Sequence, residues 1–314
     1  MYCYFRTNIS KNSGIGNYMR CLRLAQILRD KGHHCKIFTD KKITNFLLNK
    51  KIKYQSLYLN RKSFSSEEYD AKIFLQNARI SGIVFVDDYR IGIRWQTEIK
   101  RKHKKLIIID DFLKSYKADI VVNTKPNFLD EEINRNILSK YKHTKMLLGP
   151  KYAIIEDKVK KRKIKSKKFK IAFYCGGGSD LTIIFQIIKK LIFLDNKNIE
   201  FNVILGPHSS NKSKILKLGK LSRQIKIVNP SKNLSKMIKN FDLFIGSAGI
   251  SIFETALYKV PSIFIKFVKN QEVSISGLEK MGHYFLLEKK DLSKDKKISE
   301  LIDIFQQKKE RIKM

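Results

Sequence analysis

A chain of 314 residues, 43% of them hydrophobic, holds enough material for two domains of about 150 residues, each with its own core. Its 65 Lys and Arg against 29 Asp and Glu give a formal charge of +36, and no uncharged apolar run reaches the roughly 18 residues that would span a bilayer. Cys3, Cys21, Cys35 and Cys175 form no Cys-x-x-Cys pair, which speaks against a zinc site or a disulfide framework.

No cofactor is expected, and with no secretory-type leader a cytoplasmic protein is expected. The charge has three readings: an AT-biased composition that spreads Lys over the surface, attraction to anionic lipid head groups or an anionic sugar nucleotide, or nucleic-acid binding. The last lacks a helix-turn-helix, zinc-finger or RNA-recognition signature, so no specific nucleic-acid partner is expected.

The opening run Tyr2 to Asn8 is β-prone and enters the loop Ser13 to Arg20, Ser-Gly-Ile-Gly-Asn-Tyr-Met-Arg. Gly14 and Gly16 allow a sharp turn and close approach to a ligand, and the helix behind points unpaired N–H groups into the same space. A tight strand-to-helix turn without a ligand is the alternative. Met19, Leu22, Ala25, Ile27 and Leu28 predict a helix over 18–31, ended by Gly32, and His33 to Thr39 a second strand. Ser65, Ser66 and Glu68 mark the cap of a helix ending near Ala78.

Gly82 to Val86 reads as a buried strand closed by Asp87, Asp88 and Tyr89. Polar residues after a buried parallel strand lie at the carboxyl edge of the sheet, where open α/β folds keep their ligands. For Asp88 alone, capping the helix over 93–102 is the competing role. Leu106 to Ile109, followed by Asp110 and Asp111, repeats the device, and Asp119 to Val122 ends in Asn123. About five strands are predicted in this half.

A lysine-rich run sets the domain boundary, giving a first domain over 1–157, a basic linker over 158–169 and a second domain over 170–314. Ile171 to Cys175 is a strand leading into Gly176, Gly177, Gly178, Ser179 and Asp180, and a largely apolar helix follows from Leu181. Strands are predicted at 201–205, 224–228 and 241–245. Ser247, Gly249 and Ser251 then stand at a helix start, small and polar as a pyrophosphate site requires, with Glu254 one turn inside to accept ribose hydroxyls. A plain first-turn charge is the other role for Glu254.

These features resemble the two-domain sugar-nucleotide fold called GT-B, and more narrowly the hydrolases of pseudaminic acid biosynthesis that release UDP from UDP-2,4-diacetamido-2,4,6-trideoxy-β-L-altrose. The supporting residues run in order: Arg6; Gly14, Gly16, Met19, Arg20, Cys21, Leu22, Leu24 and Ala25; Asp87 and Tyr89; Gly149, Tyr152 and Ala153; Gly176, Gly177 and Asp180; Ser247 to Glu254; and Asn270 with Gln271. The resemblance implies two Rossmann-like α/β domains facing a central cleft, no metal, and a UDP-sugar as partner. It implies that Asn17, Asp87 and Tyr89 hold the catalytic positions. Arg6, Gly14, Gly16, Arg20, Gly177, Asp180, Ser247, Gly249, Ser251, Glu254, Asn270 and Gln271 hold the substrate.

In that family a histidine that activates the attacking water follows the second glycine, and an acidic residue stands two after the arginine. Here those positions are Asn17 and Asn8. An asparagine amide can position a water but cannot take its proton. Three readings stay open: a hydrolase whose base is Asp87, Asp88 or Asp110; a sugar transferase at the membrane face, with weak anionic-membrane association; or a UDP-sugar-binding partner without turnover.

Overall fold

The computed structural model describes residues 1–9, 15–40, 51–58, 64–155, 168–177, 180–192, 198–206, 209–229, 234–265, 284–287 and 295–307. Gly14, Gly178, Ser179, Asn270, Gln271 and the basic run over 158–167 lie outside them. The chain forms two compact units, Met1–Ile155 and Glu156–Met314.

The first unit contains β1 (Tyr2–Thr7), α1 (Gly16–Asp30), β2 (His34–Thr39), β3 (Lys53–Ser56), α2 (Glu67–Asn77), β4 (Ile83–Asp87), α3 (Ile93–Lys102), β5 (Lys105–Ile109), β6 (Ile120–Asn123), α4 (Glu131–Lys140) and β7 (Lys145–Leu148). Its seven strands are parallel in the order β3-β2-β1-β4-β5-β6-β7. Central β1 and β4 are apolar on both faces, as a parallel sheet covered by helices requires. Phe5 and Phe85, partners across these strands, stack with ring centroids 4.7 Å apart.

Local sequence explains the helix ends. Helix α1 stops in a Schellman motif: Gly32 has φ +85°, its N–H donates to Arg29 O at 2.8 Å, and the His33 N–H donates to Leu28 O at 3.0 Å. Helix α2 starts on Ser66, whose Oγ accepts from the Tyr69 N–H at 3.1 Å. Asp88 does not cap α3. Gly92 precedes that helix, and Glu67 Oε2 reaches across from α2 to accept the Trp95 N–H at 2.9 Å.

The second unit contains β8 (Phe169–Tyr174), α5 (Thr182–Ile192), β9 (Ile199–Ile204), α6 (Lys212–Leu221), β10 (Ile225–Val228), α7 (Leu234–Ile238), β11 (Leu243–Ser247), α8 (Ser251–Leu257), β12 (Ser262–Ile265), β13 (Tyr284–Leu287) and α9 (Asp295–Gln306). Its six strands are parallel in the order β10-β9-β8-β11-β12-β13. Strand β8 starts at Phe169, inside the segment assigned to the linker.

The first unit thus has seven strands where five are predicted. The two additional ones, β3 and β7, are its four-residue edges: β3 has no apolar run, and β7 offers only the three apolar residues Met146 to Leu148. Both sheets reverse their strand order once, between β1 and β4 and between β8 and β11. Open α/β sheets bind ligands at such switch points, beyond the carboxyl ends of the strands.

Candidate functional site

At the first switch point, the end of β4 faces the first turn of α1, which begins at Gly16 and brings Asn17 and Arg20 over the sheet edge. Arg20 is 8% exposed. Its guanidinium grips Asp87 bidentately, Nε to Oδ2 at 2.7 Å and Nη2 to Oδ1 at 2.8 Å. It also reaches Asp111 at 3.3 Å, Asn17 Oδ1 at 3.3 Å and Tyr89 Oη at 3.3 Å. The Asn17 amide donates to the Asp87 carbonyl at 3.3 Å, and the Tyr89 hydroxyl donates to Asp111. One planar, five-donor group therefore ties together residues from α1, β4 and the loop after β5.

Burial differentiates the two carboxylates. Asp87 is fully enclosed, and burial pushes its carboxyl up to about 6, with Arg20 opposing and Asp111 and Asp88 adding to the rise. Asp111 has 26% of its side chain exposed. Burial acts against its charge too, but Arg20, the Tyr89 hydroxyl and Lys125 hold it below the usual carboxylate range. Burial raises Asp110, which accepts from the Phe112 N–H and the Tyr116 hydroxyl.

Arg6 belongs to a different cluster. It is 0% exposed and donates to Asp70 through Nε (3.0 Å) and Nη2 (2.6 Å), to Asp40 (2.5 Å) and to the Thr7 carbonyl (2.7 Å). Asp70 also accepts from Trp95 Nε1 and the Tyr58 hydroxyl, while Arg90 bridges Asp40 and Asp88. With every side of its guanidinium engaged, Arg6 supports the ends of β1, β2 and β4 from behind. The substrate contact expected of it is not open in this arrangement.

At the second switch point, the glycine turn after β8 lies against the loop after β9. A Cβ on Gly206 would stand 2.4 Å from Gly176 O and 2.8 Å from the Gly177 carbonyl carbon. Asp180 Oδ1 caps α5, accepting from Thr182 N (2.8 Å) and Oγ1 (2.7 Å), and also accepts from Asn211 Nδ2 (2.8 Å). Across the switch, Ser251 Oγ donates to Ser247 O at 2.9 Å. Glu254 is 2% exposed. Gly249 is exposed, and a Cβ there would meet nothing within 4 Å.

Sequence reasoning placed Asp111 after the strand at 106–109 without giving it a role, and did not single out Lys125, although Lys125 follows β6 much as Asp111 follows β5. Lys125, just beyond β6, is 4% exposed and lays its ammonium over the Phe112 ring, 5.0 Å from the centroid.

Two parallel-sheet α/β domains, each with one switch point, give the chain the GT-B fold class. Residues 171–314 match the glycosyltransferase family 28 C-terminal domain. MurG of Acinetobacter baumannii superposes with a TM-score of 0.66 at 11% identity, over 98% of this chain and 92% of that one. Within the class, the chain resembles the UDP-2,4-diacetamido-2,4,6-trideoxy-β-L-altropyranose hydrolase of Campylobacter jejuni, with 26% identity over 286 residues, 90% of this chain and 98% of the hydrolase. An uncharacterized protein of Methanocaldococcus jannaschii is 29% identical over 272 residues, 82% of this chain, which spans only 54% of that protein's length. Among the described residues no helix is long and apolar enough to cross a membrane.

Proposed function

We propose that the protein is a slow UDP-sugar hydrolase of the cytoplasm that releases UDP from UDP-2,4-diacetamido-2,4,6-trideoxy-β-L-altrose. The observation that carries this reading is the Asn17–Arg20–Asp87–Tyr89–Asp111 cluster at the first switch point. Water forms a bond to the anomeric carbon as the bond from that carbon to the phosphate oxygen breaks, and UDP leaves with the electron pair. Asn17 orients the water. The water's proton passes to Asp111, the carboxylate of the cluster with an exposed face; its low basicity accounts for a slow reaction. Asp87, with both oxygens clamped, positions Arg20 instead. In the second unit Gly177, Asp180, Ser247, Gly249, Ser251 and Glu254 receive the nucleotide, with Asn270 and Gln271 as further contacts. Gly14 and Gly16 serve the sugar, and Arg6 supports the sheet edge.

A UDP-sugar transferase is the second reading, favoured by the family 28 match over 171–314. Incubation with a panel of UDP-sugars, following UDP and free sugar together, separates the two. Equal release of both supports hydrolysis; UDP released only when an acceptor is added overturns it. In the hydrolase, Asp111→Asn lowers kcat about 10²–10⁴-fold with little change in KM.

A further inference from the structure

All strands of the first unit run the same way, so every helix-to-strand connection emerges on one edge of the sheet, opposite the site. That edge is basic. In sheet order it carries exposed Lys51 before β3 and Lys31 before β2, then exposed Lys102, Lys104 and Lys105 around the start of β5, Lys117 before β6 and Lys145 opening β7. Among the described residues two acids lie near it, and both are paired: Asp30 with Arg29, and Asp119 with Lys100 at 2.8 Å. The opposite edge holds Asp40, Asp87, Asp88, Asp110 and Asp111, interleaved with Arg6, Arg20 and Arg90, which pair with four of them.

The middle of the basic edge is apolar. Tyr2 opens β1 with 37% exposure and Ile80 precedes β4 with 52%. The two strand starts approach closely, since a Cβ on Gly82 would lie 2.4 Å from Tyr2 O. Tyr2 also stacks on His34, with ring centroids 5.2 Å apart. Seven strands at about 4.8 Å spacing make a row roughly 29 Å long, with apolar side chains at the centre and lysines on both flanks.

We infer that this edge docks on an anionic lipid bilayer, Tyr2 and Ile80 entering the head-group layer while the flanking lysines meet lipid phosphates. Charge complementarity selects an anionic partner, and the exposed isoleucine at the centre selects lipid over nucleic acid, whose phosphate backbone offers it no apolar contact. Docking by this edge leaves the opposite edge, with the proposed site, facing away from the membrane.

The test is sedimentation of the full chain with vesicles of phosphatidylcholine alone, or with about one third phosphatidylglycerol, at about 0.15 M salt, where long-range charge is screened. Retention on the anionic vesicles only is expected. Each basic residue near an anionic surface contributes about 1 kcal/mol, so Lys102→Glu/Lys104→Glu/Lys105→Glu lowers the partition coefficient at least tenfold. The matched Lys217→Glu/Lys220→Glu/Lys226→Glu, at exposed positions of the second unit, changes it less than twofold. Ile80→Ser, which removes the apolar contact without changing charge, lowers vesicle retention and leaves any retention on duplex DNA unchanged. Equal loss in both triple variants, retention on neutral vesicles, no retention at all, or full displacement from vesicles by duplex DNA overturns the inference. Circular dichroism of each variant verifies that the exposed substitutions leave the fold intact.

Discussion

Arg20 and Asp87 form a bidentate ion pair, at 2.7 and 2.8 Å, beneath the first turn of α1. Asp87 is 0% exposed, so neither of its oxygens is presented to a water. In the proposed hydrolase the pair supports its neighbours: Arg20 holds Asn17 and Asp111 through its remaining N–H groups, and Tyr89 completes the ring of contacts.

Acid pH should therefore silence the site without unfolding the protein through this group. Burial pushes the Asp87 carboxyl up to about 6, above the ordinary carboxylate value of about 3.9. The native state then binds the proton more tightly than the unfolded chain. The stability it contributes is full below about pH 3.9 and fades as pH rises through about 6. Activity has the opposite sense, because the clamp needs the ionised carboxylate. UDP release is expected to fall about tenfold per pH unit below 6, and in Asp87→Asn that limb is absent and the rate is low throughout. A wild-type rate flat from pH 7 to 5 would sink the supporting role.

Arg20→Lys tests the fork itself. An ammonium is a point charge and cannot hold both Asp87 oxygens while reaching Asp111, Asn17 and Tyr89. UDP release is expected to drop about 10²-fold, the scale of a misplaced catalytic constellation, with KM for the nucleotide nearly unchanged. A lysine variant with wild-type kcat would show that the bidentate geometry is dispensable.

Two glycines of the second unit should part company. A Cβ on Gly246 would stand 1.9 Å from Tyr174 O, so Gly246→Ala forces β11 away from β8 at a cost of about 1–3 kcal/mol. Gly249 has open space around it, so Gly249→Ala should stay within about 0.5 kcal/mol of wild-type stability. If the nucleotide approaches the backbone there, the same methyl weakens UDP binding about tenfold in calorimetry. Unchanged UDP affinity in Gly249→Ala would remove this loop from the site.

The central architecture was legible because each inner strand pairs an apolar run with a polar terminus, as Val86 with Asp87 or Ile109 with Asp110. The edges were not. Lys53–Ser56 and Lys145–Leu148 are short and half solvated, and Ser262–Ile265, though fully buried, is an apolar run too short to tell strand from helix. Asp88 reads as a cap from its position before α3, yet Glu67 supplies the cap, a contact between two helices that no local pattern announces. Arg6 was expected to contact the ligand only because the resemblance implied it. Its partners Asp40 and Asp70 come from distant segments, and only the fold reveals that they enclose it.

His103 gives a stability signature of its own. It is 7% exposed between the rings of Tyr4 and Phe74, accepts the Gly82 N–H through Nδ1 at 3.3 Å, and its Nε2 has no partner among the described residues. Burial lowers its pKa, so the unfolded chain takes up the proton first. Its contribution is present above about pH 6.5, the unfolded value, and is lost as pH falls toward the native one, at up to about 1.4 kcal/mol per pH unit. In Asp87→Asn, which removes the opposing titration of that carboxyl near pH 6, urea midpoints should fall from pH 7 to 6, and His103→Leu in that background should flatten the slope.

Asn17 is where the resemblance and the chemistry part, and the geometry states what a histidine there would meet. The side chain is 4% exposed, with its Nδ2 on the Asp87 carbonyl and its Oδ1 on Arg20, both at 3.3 Å. An imidazole at this position can donate from one nitrogen to the Asp87 carbonyl and keep the other as an acceptor. The adjacent guanidinium and the N-terminal end of α1 both disfavour its cationic form, so it stays neutral and able to take a proton. Asn17→His should therefore raise UDP release from the diacetamido-trideoxy-altrose nucleotide about 10²-fold, the lower end of the 10²–10⁴ range that a general base contributes. The rate should climb with pH through the imidazole titration. Asp111→Asn should then matter less in the Asn17→His background than in the wild type, because the proton has a better acceptor. If the substitution instead slows a wild-type enzyme that already turns over quickly, Asn17 belongs to a different working mechanism, and the weak-base account of this site is wrong.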